Sequence, residues 1–156
     1  MNFRFIYCLL FFLIGIASPG NSQLYINEIL ACNNTINYDP DFYNFSDWIE
    51  IYNAGPANID LQNYYLSDDI DFPEKYRITS SLVVNAGGFI LIWIDENDSA
   101  NHTNFELRSA GEFIALYDPS LVLVDSLTYN KQHPDISYGR KPDGSANRVY
   151  FEEPTP

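Results

Sequence analysis

Beyond residue 22, no stretch of this chain sustains a helical period of apolar residues. Short runs of β-branched and aromatic residues recur instead, each cut off by Gly, Pro, Asn or Asp. That pattern leaves few outlets: an antiparallel sandwich or barrel of many short strands. The runs read as strands at 24–31, 47–53, 59–61, 64–67, 76–78, 82–84, 89–94, 105–108, 112–117, 121–129, 137–141 and 148–151. Residues 89–94 (Phe-Ile-Leu-Ile-Trp-Ile) are continuously apolar and predict a fully buried strand at the centre of the sandwich. A sandwich of roughly seven to nine strands is expected, with no internal repeat.

Composition supports a packed fold. Hydrophobic residues make up 46% of the chain and aromatics 16%, enough to offset the entropy of ordering it. The first 22 residues read as a secretory signal: Arg4, an apolar run from Phe5 to Ala17, then small residues suited to cleavage before Gln23. Cleavage after Ala17 or Ser18 is an alternative, and a retained anchor another. The run is shorter than the roughly 20 apolar residues a span needs. The expected division is a signal peptide at 1–22 and one domain at 23–156. Cys8 lies in the leader, so Cys32 is left without an internal disulfide partner and reads as a small apolar filler.

Charge excludes a class of partner. Removing Arg4 with the leader leaves 7 basic against 21 acidic residues, a balance of −14. Phosphate backbones and anionic lipid surfaces would be repelled, so neither nucleic acid nor membrane insertion of the mature chain is expected.

Catalytic and metal signals are sparse. His102 and His133 lie in polar stretches and read as solvated loop residues, which leaves Cys32 without a convincing base. One cysteine and two distant histidines do not make a zinc pattern. Two acidic loops, with Asp68, Asp69 and Asp71 in one and Asp95 and Asp98 in the other, are calcium candidates. Neither has EF-hand spacing, because Ala100 stands where that loop needs Gly, and Asp caps of turns are the alternative. Asp47 and Glu50 beside Trp48 suggest an acid pair next to a sugar platform. In a regular strand, however, Asp47 and Ile49 share one face while Trp48 and Glu50 share the other, and a strand Trp is usually core. Four Asn-x-Ser/Thr sequons, at Asn33, Asn44, Asn97 and Asn101, fall in expected surface loops.

The motifs line up in order along most of the chain. They are Ile26-Asn27-Glu28-Ile29-Leu30-Ala31, then Asp47-Trp48-Ile49-Glu50-Ile51-Tyr52-Asn53. Asn58-Ile59-Asp60-Leu61 and Tyr64-Tyr65-Leu66-Ser67 come next, followed by Ala86-Gly87-Gly88-Phe89 with Trp93. Gly111-Glu112, Leu116-Tyr117-Asp118, Val124-Asp125-Ser126, Ser137-Tyr138-Gly139-Arg140 and Pro142-Asp143-Gly144 complete the set. In this order they resemble the lamin tail domain in its bacterial, secreted form. The resemblance implies an immunoglobulin-like β-sandwich with no established catalytic residues. It also implies an accessory role on exported proteins, with further domains of a longer chain as one context.

Physical roles for the motif residues are structural. Gly87, Gly88, Gly139 and Gly144 suit turns or close backbone approach. Arg140 is expected to pair with a carboxylate, and Asn27 and Glu28 to satisfy loop backbone groups. The leading expectation is a non-catalytic exported module, without a cofactor, that binds protein or carbohydrate at the cell surface. The alternatives are an acid-pair hydrolase and a purely structural assembly protein.

Overall fold

The computed structural model describes residues 23–156, where it places eleven strands and no helix. The leader at 1–22 lies outside the described residues. In chain order the strands are β1 (Leu24–Leu30), β2 (Trp48–Asn53), β3 (Ile59–Asp60), β4 (Tyr65–Ser67), β5 (Tyr76–Arg77), β6 (Val83–Val84), β7 (Phe89–Trp93), β8 (Gly111–Tyr117), β9 (Leu123–Asn130), β10 (Ser137–Arg140) and β11 (Arg148–Phe151). One sheet has the order β11-β10-β1-β2-β7 and the other β5-β4-β8-β9, with β3 and β6 paired separately. Every strand pairing is antiparallel. This is the all-β, immunoglobulin-like sandwich expected.

The core lies between the two sheets. Ile26, Ile29, Ile49, Ile51 and Ile92 enter it from the first sheet, and Leu66, Ile114, Leu116 and Leu127 from the second. Leu61, Ile78 and Val84 join the same cluster. Each such side chain contributes on the order of 2 kcal/mol by leaving water, so a chain whose one described cysteine is free needs no disulfide staple.

Strand β1 carries a parity problem. Leu24 and Ile26 face the core, yet so do Ile29 and Ala31, and strict alternation cannot bring both sets inward. A bulge resolves it. Ile26 pairs with Ile51 and Glu28 with Glu50, so Asn27 is the extra residue. β10 pairs with β1 only at Glu28 and Ile29, and side chains serve the backbone before that point. The Ile26 amide donates to Asp125 Oδ2 at 2.8 Å. Arg140 Nε donates to the Ile26 carbonyl at 3.1 Å, and Arg140 Nη2 lies 2.9 Å from both oxygens of Asp125. Asp125 itself follows a second register shift, in β9, where Leu116 pairs with Asp125 and Tyr117 with Leu123. Arg140 is therefore the carboxylate-paired cation the sequence led us to expect, and the pair ties the edge of one sheet to the middle of the other. Arg140 also covers the Tyr25 ring, 5.0 Å from its centroid.

The remaining motif residues surround this junction. Asn27 Nδ2 donates to Glu50 Oε1 at 2.9 Å and to Asp143 Oδ1 at 3.1 Å, while its Oδ1 accepts from the Gly144 amide at 3.1 Å. Glu28 accepts from the Ser137 hydroxyl and from the Thr155 amide and hydroxyl. A Cβ on Gly139 would stand 2.5 Å from the Asn27 carbonyl, so only Gly lets β10 approach the bulge. Gly144 has φ +68° against the Tyr25 ring. Asn53 plays a similar part at the other end of β2. Its amide donates to the Ala57 and Val84 carbonyls, its Oδ1 accepts from Gly55, and its backbone pairs with Gly87 and Gly88.

Three expectations need correction. The apolar run at 89–94 is an edge strand, not a central one: β7 ends its sheet and Phe89 is 45% exposed. The centre is β1, whose hydrophobicity is interrupted by its buried polar bulge. Residues 105–108 form no ladder, though Phe105 and Leu107 do alternate into the core; Glu106 makes only an isolated bridge to Asp95. Strands number eleven, above the seven to nine expected, because the short runs at 59–61, 64–67, 76–78 and 82–84 each form a two- or three-residue pairing of their own. Trp48 is fully buried, but on the outer face of the sheet with Leu30 and Trp93, beneath Ile36. Ile49 and Ile51 take the inner face, so the expected division of faces within β2 holds.

Because Arg140 and Asp125 are both largely buried, removing one partner strands the other. Arg140→Met is expected to cost about 3 kcal/mol in urea unfolding, and Asp125→Leu a similar amount. The double variant should recover a substantial part of the summed loss. Additive losses would mean that the pair is not coupled.

Candidate functional site

The connection between β1 and β2 meets the connection between β7 and β8 at one end of the sandwich. Both loops are held in strained backbone: Asn37, Tyr43, Glu96, Asp98 and Ala100 have φ between 49° and 63°, a region non-Gly residues adopt only at a cost. Asn33 closes the neck of the first loop, with Nδ2 donating to the carbonyls of Ser46 at 2.8 Å and Asn37 at 3.2 Å. That buries Asn33, which the sequon pattern had led us to place at the surface. Asn44 and Asn97 are exposed, and Asn101 is half-buried.

The first loop carries an aromatic set. Tyr38, Phe42, Tyr43 and Phe45 are 50%, 42%, 78% and 39% exposed. Tyr38 and Phe45 meet edge to face, with centroids 5.4 Å apart. Beside them lies an open cleft of about 280 Å³, lined by Ser46, Asp47, Asp95 and Glu106 with Phe45 and Leu107.

His102 is the main departure from expectation. It is 1% exposed rather than solvated. Its ring stacks on Trp93 at 6.3 Å and 18° and meets the edge of Phe42 at 4.7 Å. Backbone bonds pin the segment around it along the end of β7, from Trp93 to the Asn101 carbonyl and from Thr103 to the Trp93 carbonyl. His102 Nδ1 lies 2.9 Å from Asp95 Oδ2 and 4.0 Å from Asp39 Oδ2, and Nε2 lies 3.4 Å from Asp41 Oδ2. The Ser46 hydroxyl touches Asp39, Asn44 and Asp95. Asp39 was missed because 63 positions separate it from His102. The available signal was the concentration of Tyr and Phe in an otherwise polar loop, which marks a loop that packs. His133 is exposed, and Cys32 is half-buried, its thiol pushed up chiefly by burial.

The other singled-out acids have other partners. Asp68 pairs with Lys75. Asp69 Oδ1 accepts from the Asp71 amide, as in a capped turn, and Asp71 is exposed. Asp98 is exposed, with its amide bonded to the Thr103 carbonyl. Asp95 alone of the five joins the histidine cluster.

Asp47 and Glu50 do not meet. Asp47 lines the cleft, accepts from the Asn33 amide at 2.8 Å, and is pushed up to about 6, first by burial and then by Glu106. Glu50 lies in the Asn27 network on the outer face of its sheet and is pushed up to about 7, mainly by burial, with Glu28 and Asp143 adding to it. The folded protein holds this proton more tightly than the unfolded chain, whose value is near 4.5. The favourable contribution is therefore complete below pH 4.5 and lost as pH rises to about 7. Glu50→Gln should match the native chain in stability at pH 4 and exceed it at pH 8, by up to roughly 3 kcal/mol. Chemical unfolding at both pH values measures this, and an equal gap at the two would contradict it.

Comparison with known proteins bears on the whole chain. No curated protein matches it. The family model of the Lamin Tail Domain matches residues 17–131, from before β1 to the end of β9. The stretch bearing Gly139, Arg140 and Gly144 lies past the matched residues but inside the same sandwich, bonded to Asn27 and Asp125. The match covers most of the chain and the architecture agrees with it: the chain belongs to the lamin tail domain family.

Proposed function

We propose that this chain is an exported, non-catalytic module that binds protein or carbohydrate at the cell surface, through the end of the sandwich that carries the aromatic loop. The carrying observation is the exposure of Tyr38, Phe42, Tyr43 and Phe45 on one braced loop beside an acidic cleft. Exposed aromatics clustered in this way are a mark of recognition surfaces, because they give large contact area at low entropic cost. The bracing argues for a surface preorganised before its ligand arrives. The net charge of −13 disfavours nucleic acid and anionic lipid as that ligand. Family membership supports the reading, since the sandwich is a scaffold and any specific role lies in the site it carries.

The rival acid-pair hydrolase is weakened by geometry. Its two carboxylates have separate surroundings, Asp47 in the cleft and Glu50 in the Asn27 network. Export rests on the leader. Expressed as the full chain in a bacterium, the protein should appear outside the cytoplasm with Gln23 as its first residue, by N-terminal sequencing. A cytoplasmic product retaining Met1 would contradict that part of the proposal.

Binding is tested by presenting the purified domain to arrays of glycans and envelope proteins, alongside Tyr43→Ala, the most exposed of the four. Loss of one aromatic anchor should weaken retention by roughly tenfold or more with stability little changed. Turnover of a bound glycan that ceases on a single carboxylate change would overturn the non-catalytic reading.

A further inference from the structure

The cluster around His102 has a surplus of negative charge that its own residues do not balance. Asp39 is fully buried and Asp95 is 7% exposed at its side chain, and Asp41 adds a third carboxylate at the ring's other nitrogen. Among the described residues, the Lys and Arg ion pairs lie elsewhere, at Asp68, Glu112 and Asp125. A doubly protonated ring would set one positive charge against the two buried carboxylates, with the largely exposed Asp41 beside them. Asp39 accepts the Asp41 amide and Asp95 the Asn97 side-chain amide, but such bonds leave the charge in place, and buried charges without a cation are costly. Acceptors are also in excess. One Ser46 hydroxyl hydrogen faces Asp39 Oδ2, Asn44 Oδ1 and Asp95 Oδ2. In the same loop, the buried Asn33 Oδ1 and Asn37 Oδ1 have no donor at all.

We propose that Asp39, Asp95 and His102 form a binding site for a divalent transition cation of the zinc type. Their donor atoms lie within 4.8 Å of one another. Two ligands of one tetrahedral zinc ion stand about 3.3 Å apart, given a bond length of about 2 Å. The 2.9 and 4.0 Å from His102 Nδ1 bracket this value, so closing the site takes an inward movement of Asp39 by less than about 1 Å. The arrangement also supplies the outer partner such sites use. Asp41 Oδ2 faces Nε2 at 3.4 Å, so a ring that donates from Nε2 turns the Nδ1 lone pair toward the two buried carboxylates. The imidazole selects a zinc-type ion over calcium or magnesium, which prefer oxygen alone. Ser46 and Asp95 belong both to the cluster and to the lining of the cleft, which gives the site its access. The ion would crosslink the loop bearing the exposed aromatics to the loop after β7. This site goes beyond the binding role proposed above and stands or falls apart from it.

The test uses metal-stripped full domain and ZnCl₂, CaCl₂ and CoCl₂ as probes. Calorimetry should find one zinc per chain, with a raised melting temperature and no comparable response to calcium. Cobalt should give a visible ligand-field spectrum. Asp39→Asn and His102→Gln should each weaken zinc binding by roughly tenfold or more, while Asp68→Asn, outside the cluster, leaves it unchanged. If the His102 variant fails to fold, NMR of the native chain decides: zinc should shift the ring nitrogens of His102 and not those of exposed His133. No stoichiometric binding, equal binding of calcium, a response at His133 alone, or an affinity indifferent to Asp39→Asn would each overturn the proposal.

Discussion

The structure depends on how one backbone group is satisfied. At Ile26 the central strand of the larger sheet has a core-facing side chain and an amide that no strand serves. Asp125 from the opposing sheet accepts that amide, and Arg140 bonds both the Ile26 carbonyl and the Asp125 carboxylate. A buried backbone donor left without a partner costs as much as a lost hydrogen bond. The ion pair is thus fixed in place by the bulge at Asn27, and the bulge is fixed by the need to bring both Ile26 and Ile29 inward. Gly139 follows from the same geometry, since β10 passes too close to Asn27 for a side chain. The family motifs form one connected junction, not a set of separate signals.

This junction explains which parts of the fold were legible in the sequence. Strand-like runs, turn residues and the inner face of β2 follow from local rules of alternation and backbone preference. The location of β7 does not. The six-residue apolar run that contains it looks central because alternation fails, yet β7 lies at an edge, with one face on the core and the other shared with Trp48, Phe42 and the His102 segment. The true centre, β1, looks less hydrophobic because Asn27 and Glu28 are buried there as network members. Burial of polar residues by mutual satisfaction leaves no mark in a hydrophobic pattern.

Long-range pairing accounts for what was missed at the candidate site. Arg140 carried a readable expectation, because a cation in a chain with 21 acidic residues seeks a carboxylate, though nothing local named Asp125. His102 carried none. Its neighbours are polar, and its burial comes from Phe42 and Trp93, which lie on separate loops and strands. Asp39, Asp41 and Asp95 converge on it from two connections that the sandwich topology brings to one end. The two clusters therefore divide the work. The Arg140 junction joins the sheets, and the loop end displays aromatics above a buried, charge-rich cluster.

Native-state hydrogen exchange at the Ile26 amide tests the central claim most directly, because its partner is the Asp125 side chain. The claim predicts that this amide exchanges only through global unfolding, as slowly as Ile51 in the neighbouring strand. It also predicts that Asp125→Leu, which removes the acceptor, accelerates Ile26 far more than Ile51. Fast exchange at Ile26 in the native chain, or protection that Asp125→Leu leaves untouched, would contradict it.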